Sequence, residues 1–143
     1  MNFRITFLVS LIAGGFVGII SLIPFVTKFA VIILLTLISV PIILGLKKQN
    51  FLPVFNEKES LKAGALIGIF STFGFGIIFC PMVYVMGLFL KLEYLGGFSL
   101  MVRLMSLPMM LMFMIFVCVI SAIFNAFSAL MYYYIEESVK KLK

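Results

Sequence analysis

The side chains that could carry out chemistry in this sequence are few and scattered. It contains five glutamates and two cysteines, and it has no histidine, tryptophan or aspartate. Zinc and di-iron sites need clustered His, Cys or carboxylate ligands, and general acid/base catalysis relies on His or on paired carboxylates. The sequence therefore predicts no catalytic residue, no metal site and no cofactor, and we interpret the protein as not an enzyme.

Asn125 is the only amide that lies well inside a predicted membrane span. An unpaired polar side chain is costly in hydrocarbon and tends to form a hydrogen bond with a neighbouring helix. We therefore predict a structural, helix-packing role for Asn125, with a ligand contact as the alternative.

The two cysteines are predicted to be free thiols. Cys80 lies near the outer end of its predicted span, whereas Cys118 lies about 18 Å deeper at 1.5 Å per helical residue. A disulfide requires Cα atoms within about 7 Å of each other. The difference in depth therefore predicts that the two do not form a bond within one chain.

The composition is that of an integral membrane domain. Of 143 residues, 64% are hydrophobic and 11% charged, and the mean hydropathy is +1.30. An ordinary soluble domain has roughly 25% charged residues. The net charge of +6 comes from basic residues that flank apolar runs, so the lipid bilayer and not nucleic acid is the predicted partner. We expect one domain, 1–143, in a cell membrane, by our interpretation a bacterial inner membrane.

Four apolar runs predict an all-α, polytopic fold with four transmembrane helices, since about 20 residues cross the hydrocarbon core. The first run exceeds the 7–15 apolar residues of a signal peptide, so we expect it to be retained. Pro41 should kink the second helix because proline removes one intrahelical hydrogen bond. The approximate spans are 5–23, 29–46, 61–80 and 107–135.

Two helix starts are visible in the sequence. Asn56 followed by Glu59 is a variant of the capping box and predicts a helix that begins near Glu57. Pro108 predicts that the last helix begins around 106–108, because proline is tolerated in a first turn. Residues 81–103 remain open: the third helix continues with a kink, or a short interfacial or re-entrant segment follows it.

Charge counting predicts the orientation. Eight Lys or Arg residues lie on the side of the termini and of the loop 47–62, against three on the other side, which predicts cytoplasmic N and C termini. The three are Lys28, Lys91 and Arg103. Beyond the last span, two i, i+4 ion pairs are expected, Glu136 with Lys140 and Glu137 with Lys141.

An internal repeat is also present. Residues 11–29 align without gaps on 61–79, with eight of nineteen positions identical. If the repeat is genuine, the chain is two tandem helical hairpins that point the same way, although coincidence within apolar sequence is the alternative.

Small residues recur every four positions along two of the predicted helices. Such small-xxx-small stripes let helix backbones approach closely in lipid, so we predict helix-packing roles, with a substrate path as the alternative. The sequence leaves open whether each stripe packs within the chain or against a second copy. The glycines concerned are Gly14 and Gly18 in one helix, and Gly64, Gly68 and Gly76 in another.

These features lead to two functional hypotheses. The first is a non-enzymatic accessory or assembly subunit that packs through its glycine-rich faces into a homo-oligomer or against a larger membrane partner. The alternative is a small homo-oligomeric transporter or channel for a neutral or lipid-like solute. The absence of an ionisable residue in mid-span weakens the second hypothesis. The transporter or channel hypothesis predicts a polar cavity near Ser21, Ser71, Thr72 and Asn125.

Overall fold

A computed structural model describes residues 3–51, 56–89 and 97–142, and this part of the chain contains helices and no strand. Three helices, α1, α4 and α6, are long and apolar enough to cross a membrane, and α2 with α3 supplies a fourth span if the bent pair is counted as one. The helices are α1 (Phe3–Ile20), α2 (Pro24–Thr36), α3 (Ser39–Lys48), α4 (Glu57–Phe89), α5 (Gly97–Leu104) and α6 (Leu107–Lys141).

Both predicted helix starts are confirmed. Helix α4 begins at Glu57, and the side-chain oxygen of Asn56 accepts a hydrogen bond from the backbone N–H of Glu59 at 2.9 Å. Helix α6 begins at Leu107 with Pro108 in its first turn. Proline fits there because its missing N–H would have no partner within the helix.

The predicted kink is also confirmed, and the break lies one turn before the proline. Helices α2 and α3 meet at 58° around Leu37 and Ile38. Pro41 has no N–H to donate to the carbonyl of Leu37, and its ring crowds that carbonyl. The Leu37 carbonyl instead accepts a hydrogen bond from the N–H of Val40 at 3.1 Å, so the chain leaves the α-helical pattern here.

The described part of 81–103 contains the continuation of the third helix and a separate short helix. Helix α4 continues without interruption past Pro81 to Phe89, and at 1.5 Å per residue its 33 residues measure about 50 Å, more than the 30 Å hydrocarbon core. Residues 97–104 then form the short helix α5. The hydroxyl of Tyr84 donates to the carbonyl of Met105 at 3.0 Å and ties α4 to this connection. Lys91 lies outside the described residues.

Helix α4 is the centre of the bundle, with α1 along one side and α6 along the other. The two predicted hairpins are therefore not equivalent. Helices α4 and α6 pack closely, whereas α1 packs mainly on α4 and touches α2 and α3 far less. The aligned repeat also joins unlike structures, because 11–29 includes the break between α1 and α2 while 61–79 lies wholly within α4.

Candidate functional site

The glycines of α1 lie against the backbone of α4. A Cβ atom added to Gly14 would overlap the backbone of Ser71, and one added to Gly18 would lie 3.2 Å from the carbonyl oxygen of Phe75. In return Gly74 of α4 lies against the backbone of Leu11. The two helices therefore touch along their main chains, and Gly74 is a contact that the four-residue spacing did not reveal.

The glycines of α4 lie against α6. A Cβ at Gly64 would lie 2.7 Å from that of Ala129, and one at Gly68 would lie 2.5 Å from the carbonyl oxygen of Ser121. Gly76 differs, because its neighbour is the flexible end of Met114. All five predicted glycines are thus buried within one chain, and the faces expected to meet a partner are already covered.

Asn125 is fully buried and lies at the break between α2 and α3. Its side-chain oxygen accepts a hydrogen bond from the N–H of Ser39 at 2.9 Å, and its side-chain nitrogen lies 3.1 Å and 2.9 Å from the carbonyl oxygens of Leu34 and Leu35. The hydroxyl of Ser39 donates to the backbone carbonyl of Asn125 at 3.0 Å. A broken helix in lipid needs such partners because no water satisfies its free backbone groups.

Serines of α6 extend this polar network. The hydroxyl of Ser121 donates to the carbonyl of Gly68 at 3.1 Å, and the hydroxyl of Ser128 donates to the carbonyl of Thr36. The network therefore joins α2, α3, α4 and α6. Ser39 and Ser128 were not predicted from the sequence, although the kink at Pro41 signalled that backbone groups near it would need partners.

Three further hydroxyl groups, those of Ser10, Ser21 and Thr72, are buried and have no hydrogen-bond partner within the described residues. None of the cavities and grooves described below is lined by them.

Charged side chains gather at one end of the bundle, which we call the lysine-rich end. It holds the start of α1, the end of α3, the start of α4 and the end of α6. Its described basic residues are Arg4, Lys47, Lys48, Lys58, Lys62, Lys140 and Lys141.

At this end the carboxylate of Glu136 is shared between two lysines. It pairs with Lys47 of α3 and, at 2.7 Å, with Lys140 of its own helix. Hydrogen bonds from Lys140 and then Lys47 lower the pKa of Glu136, and the same carboxylate raises the pKa of Lys140. The pair with Lys47 connects α6 to α3. A carboxylate that is paired with two lysines is poorly suited to accept or donate a proton during catalysis.

Two more contacts complete this cluster. Glu137 pairs with Lys141 at 3.1 Å, so both predicted i, i+4 pairs are confirmed. The hydroxyl of Tyr134 donates to the carboxylate of Glu57 at 2.9 Å, which connects α6 to the start of α4. A cavity of about 180 Å³ lies within the cluster. The described residues hold no group of three His, Cys, Asp or Glu side chains that could bind a metal.

Apolar grooves open on the outside of the bundle. The α4–α6 groove measures about 540 Å³, and its lining includes Ile77, Cys80, Tyr84, Met110 and Met114. Two adjoining hollows of about 500 and 320 Å³ share three lining residues and form the α1–α3 groove. The lining of the α1–α3 groove includes Val9, Ala13, Phe16, Ile38, Gly45 and Gln49. A smaller groove of about 210 Å³ separates the end of α1 from α2.

The cysteines are both free, as predicted. Cys80 is buried at the α4–α6 groove, and Cys118 is partly buried on α6.

The candidate site as a whole consists of close helix contacts, a polar network around Asn125 and a cluster of ion pairs at the lysine-rich end. No known protein family, curated protein or solved structure matches this chain.

Proposed function

We propose that the chain is a four-span integral membrane protein of a cell membrane with both termini in the cytoplasm. The length and apolar character of α1, α4, α6 and the bent pair α2–α3 support four crossings. The seven basic residues at the lysine-rich end support the orientation, because Lys28 and Arg103 are the described basic residues elsewhere in the bundle.

Within that membrane, we propose a non-enzymatic accessory or assembly subunit that binds another membrane protein through the outer face of α6. The observation that carries this proposal is the exposure of α6. Within the 18-residue apolar stretch that qualifies each helix as a span, 6% of the residues of α6 are buried, against 56% of those of α4. Its buried residues, Ser121, Asn125 and Ala129, form a single line, so most of its circumference faces outward.

The composition of this face supports a protein partner. Four of the ten methionines lie at the start of α6, Met109, Met110, Met112 and Met114, and Met109 and Met112 are exposed. Leucine, isoleucine and valine are apolar enough for a surface that contacts lipid alone. Methionine side chains are more flexible and adapt to the shape of a protein partner. The α4–α6 groove opens beside them and offers a concave surface for an apolar side chain of the partner.

Photo-crosslinking in the native membrane tests this proposal. A photoreactive amino acid is placed at Met112 on α6, which is 74% exposed. The control position is Ile32 on α2, which is 58% exposed. We expect a discrete protein adduct from position 112 and none from 32. An adduct of twice the mass of the chain would identify a second copy as the partner. The absence of any protein adduct at 112, or equal adducts at both positions, would contradict the proposed role.

The transport hypothesis receives no support from the polar residues in the span. Ser21, Ser71, Thr72 and Asn125 are fully buried, and the grooves described above are lined by other residues. Asn125 is engaged with backbone groups of the broken helix. We therefore do not extend the proposal to a solute pathway.

A further inference from the structure

The α1–α3 groove has the shape and surroundings of a lipid site. Its walls are α1, with Val9, Ala13 and Phe16, and α3, with Ile38 and Gly45. Helix α1 packs on α4, and α3 packs on α6 and α4, so the two walls stand apart and the groove opens sideways from the bundle. In a membrane, what enters such an opening from the side is hydrocarbon.

The length of the groove matches one leaflet. Its α3 wall runs from Ile38, at the helix break, to Gln49, at the lysine-rich end. At 1.5 Å per residue this distance is about 17 Å, close to half of the 30 Å hydrocarbon core. An acyl chain that starts at the headgroup level of this leaflet therefore fits along the groove.

Gly45 makes the α3 wall flat. No heavy atom lies within 4 Å of the position that a Cβ at Gly45 would occupy. Gly14 and Gly68, in contrast, lie directly against another helix. Gly45 thus leaves open space within the groove, and helix packing within the chain does not account for it.

The mouth of the groove carries positive charge without a matching carboxylate. Gln49 lines the mouth, and the exposed Lys48 directly precedes it at the end of α3. The described carboxylates at this end are engaged elsewhere, since Glu57 bonds Tyr134 and the other three pair with Lys47, Lys62, Lys140 or Lys141. Lys48 forms no ion pair within the described residues, and its charge complements a phosphate group.

We propose that the α1–α3 groove binds one acyl chain of an anionic phospholipid and that Lys48 and Gln49 contact the phosphate of that lipid. The proposal rests on the four-span arrangement above. It is independent of the accessory role of α6, because the groove and the α6 face lie on different helices.

Native mass spectrometry of the detergent-purified protein tests the proposal. Phosphatidylglycerol and phosphatidylcholine with identical acyl chains are titrated separately. Wild-type protein should retain one lipid molecule and prefer phosphatidylglycerol about fivefold, the effect of one basic residue near a membrane surface. Lys48→Gln should abolish the preference and keep residual binding of both lipids. Lys58→Gln removes the same charge from the same end on α4 and should behave as wild type.

Variants that fill the groove provide the second arm. Gly45→Leu places a side chain in the open space, and Ala13→Phe fills the same groove from the α1 wall. Both should lower retention of both lipids at least about fivefold, while circular dichroism shows unchanged helix content. Leu44→Phe, at the neighbouring exposed position, is the control.

Three outcomes would overturn the proposal. The first is unchanged lipid retention in both groove-filling variants. The second is an equal loss of preference in Lys48→Gln and Lys58→Gln, which would indicate a general field of positive charge. The third is a second polypeptide that wild type retains and Gly45→Leu releases, since a protein would then occupy the groove.

Discussion

At the scale of single residues, Asn125 shows how one amide can complete a broken membrane helix. Its nitrogen has two hydrogens and lies within hydrogen-bond distance of four oxygens, those of Leu34, Leu35 and Ser121 together with the Ser121 hydroxyl. Its oxygen is used by the N–H of Ser39. Removing this side chain leaves buried backbone groups without partners, and such groups are costly in lipid.

Replacement of Asn125 by alanine should lower the free energy of unfolding by about 2 kcal/mol or more, because several interhelical hydrogen bonds are lost together. The measurement is reversible unfolding in mixed micelles. Ser138→Ala changes an exposed hydroxyl on the same helix and should stay within about 0.5 kcal/mol of wild type. Equal stability of the two variants would show that the network around Asn125 contributes nothing.

Glu136 gives a prediction about pH. Because its pKa is lowered in the folded protein, its contribution to stability is present at neutral pH and is lost as the pH falls below the ordinary carboxyl range, about 4.3. We expect a loss of at most about 1 kcal/mol on acidification, since the lysine partners are partly exposed. Thermal unfolding at neutral and acidic pH measures it.

The matched variants for this experiment are Glu136→Gln and Glu137→Gln. Glu136→Gln should already be less stable at neutral pH and should lose less on acidification than wild type. Glu137→Gln removes only a pair within α6 and should keep the acid response of wild type. An unchanged acid response in Glu136→Gln would assign the effect to other groups.

At the scale of elements, the bundle is built by close contact of main chains along α4. Helix α1 approaches α4 through Gly14, and α6 approaches it through Gly64 and Gly68. Each contact requires that no Cβ stand between the helices, which is the physical basis of small-xxx-small packing in lipid. The glycine faces are used within the chain, so they do not offer a surface to a partner. The surface that we propose for a partner is therefore the outer face of α6.

The glycines should differ in their tolerance of alanine. Gly14→Ala forces the backbone of Ser71 away and should cost about 1–3 kcal/mol of unfolding free energy. Gly76→Ala meets only the end of Met114, which can change rotamer, and should cost less than about 1 kcal/mol. Unfolding of both variants under identical conditions checks the order. A reversed order would mean that α1 and α4 are not in main-chain contact.

At the scale of the whole molecule, charge and helix contacts divide the bundle into two unlike ends. The lysine-rich end carries the cluster of ion pairs and the mouth of the α1–α3 groove. The opposite end carries α5 and the α4–α6 groove. The polar network around Asn125 lies within the bundle and joins four helices. The membrane orientation decides which of these surfaces faces the cytoplasm.

Single-cysteine labelling tests that orientation. Leu104→Cys in α5 and Leu142→Cys after α6, both strongly exposed, are made with Cys80 and Cys118 replaced by serine. A membrane-impermeant maleimide should label position 104 in intact cells and position 142 only after permeabilisation. The opposite pattern would invert the proposed topology and place the lysine-rich end outside.

Local physics made several features predictable from the sequence. The long apolar helices follow from apolar runs, the start of α4 from Asn56 and Glu59, the start of α6 from Pro108, and the kink from Pro41. Each depends on residues within a turn or two of one another. The free cysteines followed from their depth alone, because helix rise converts sequence position into distance.

The tertiary structure alone decided which faces meet. The partners of Asn125 lie 86 and 91 residues away in the sequence, at Ser39 and Leu34. A stripe of glycines has the same pattern whether it packs on its own chain or on another, and lipid is as apolar as a helix interior, so hydrophobicity does not mark the buried side. The fold shows that both glycine stripes are used internally and leaves the outer face of α6 and the α1–α3 groove open.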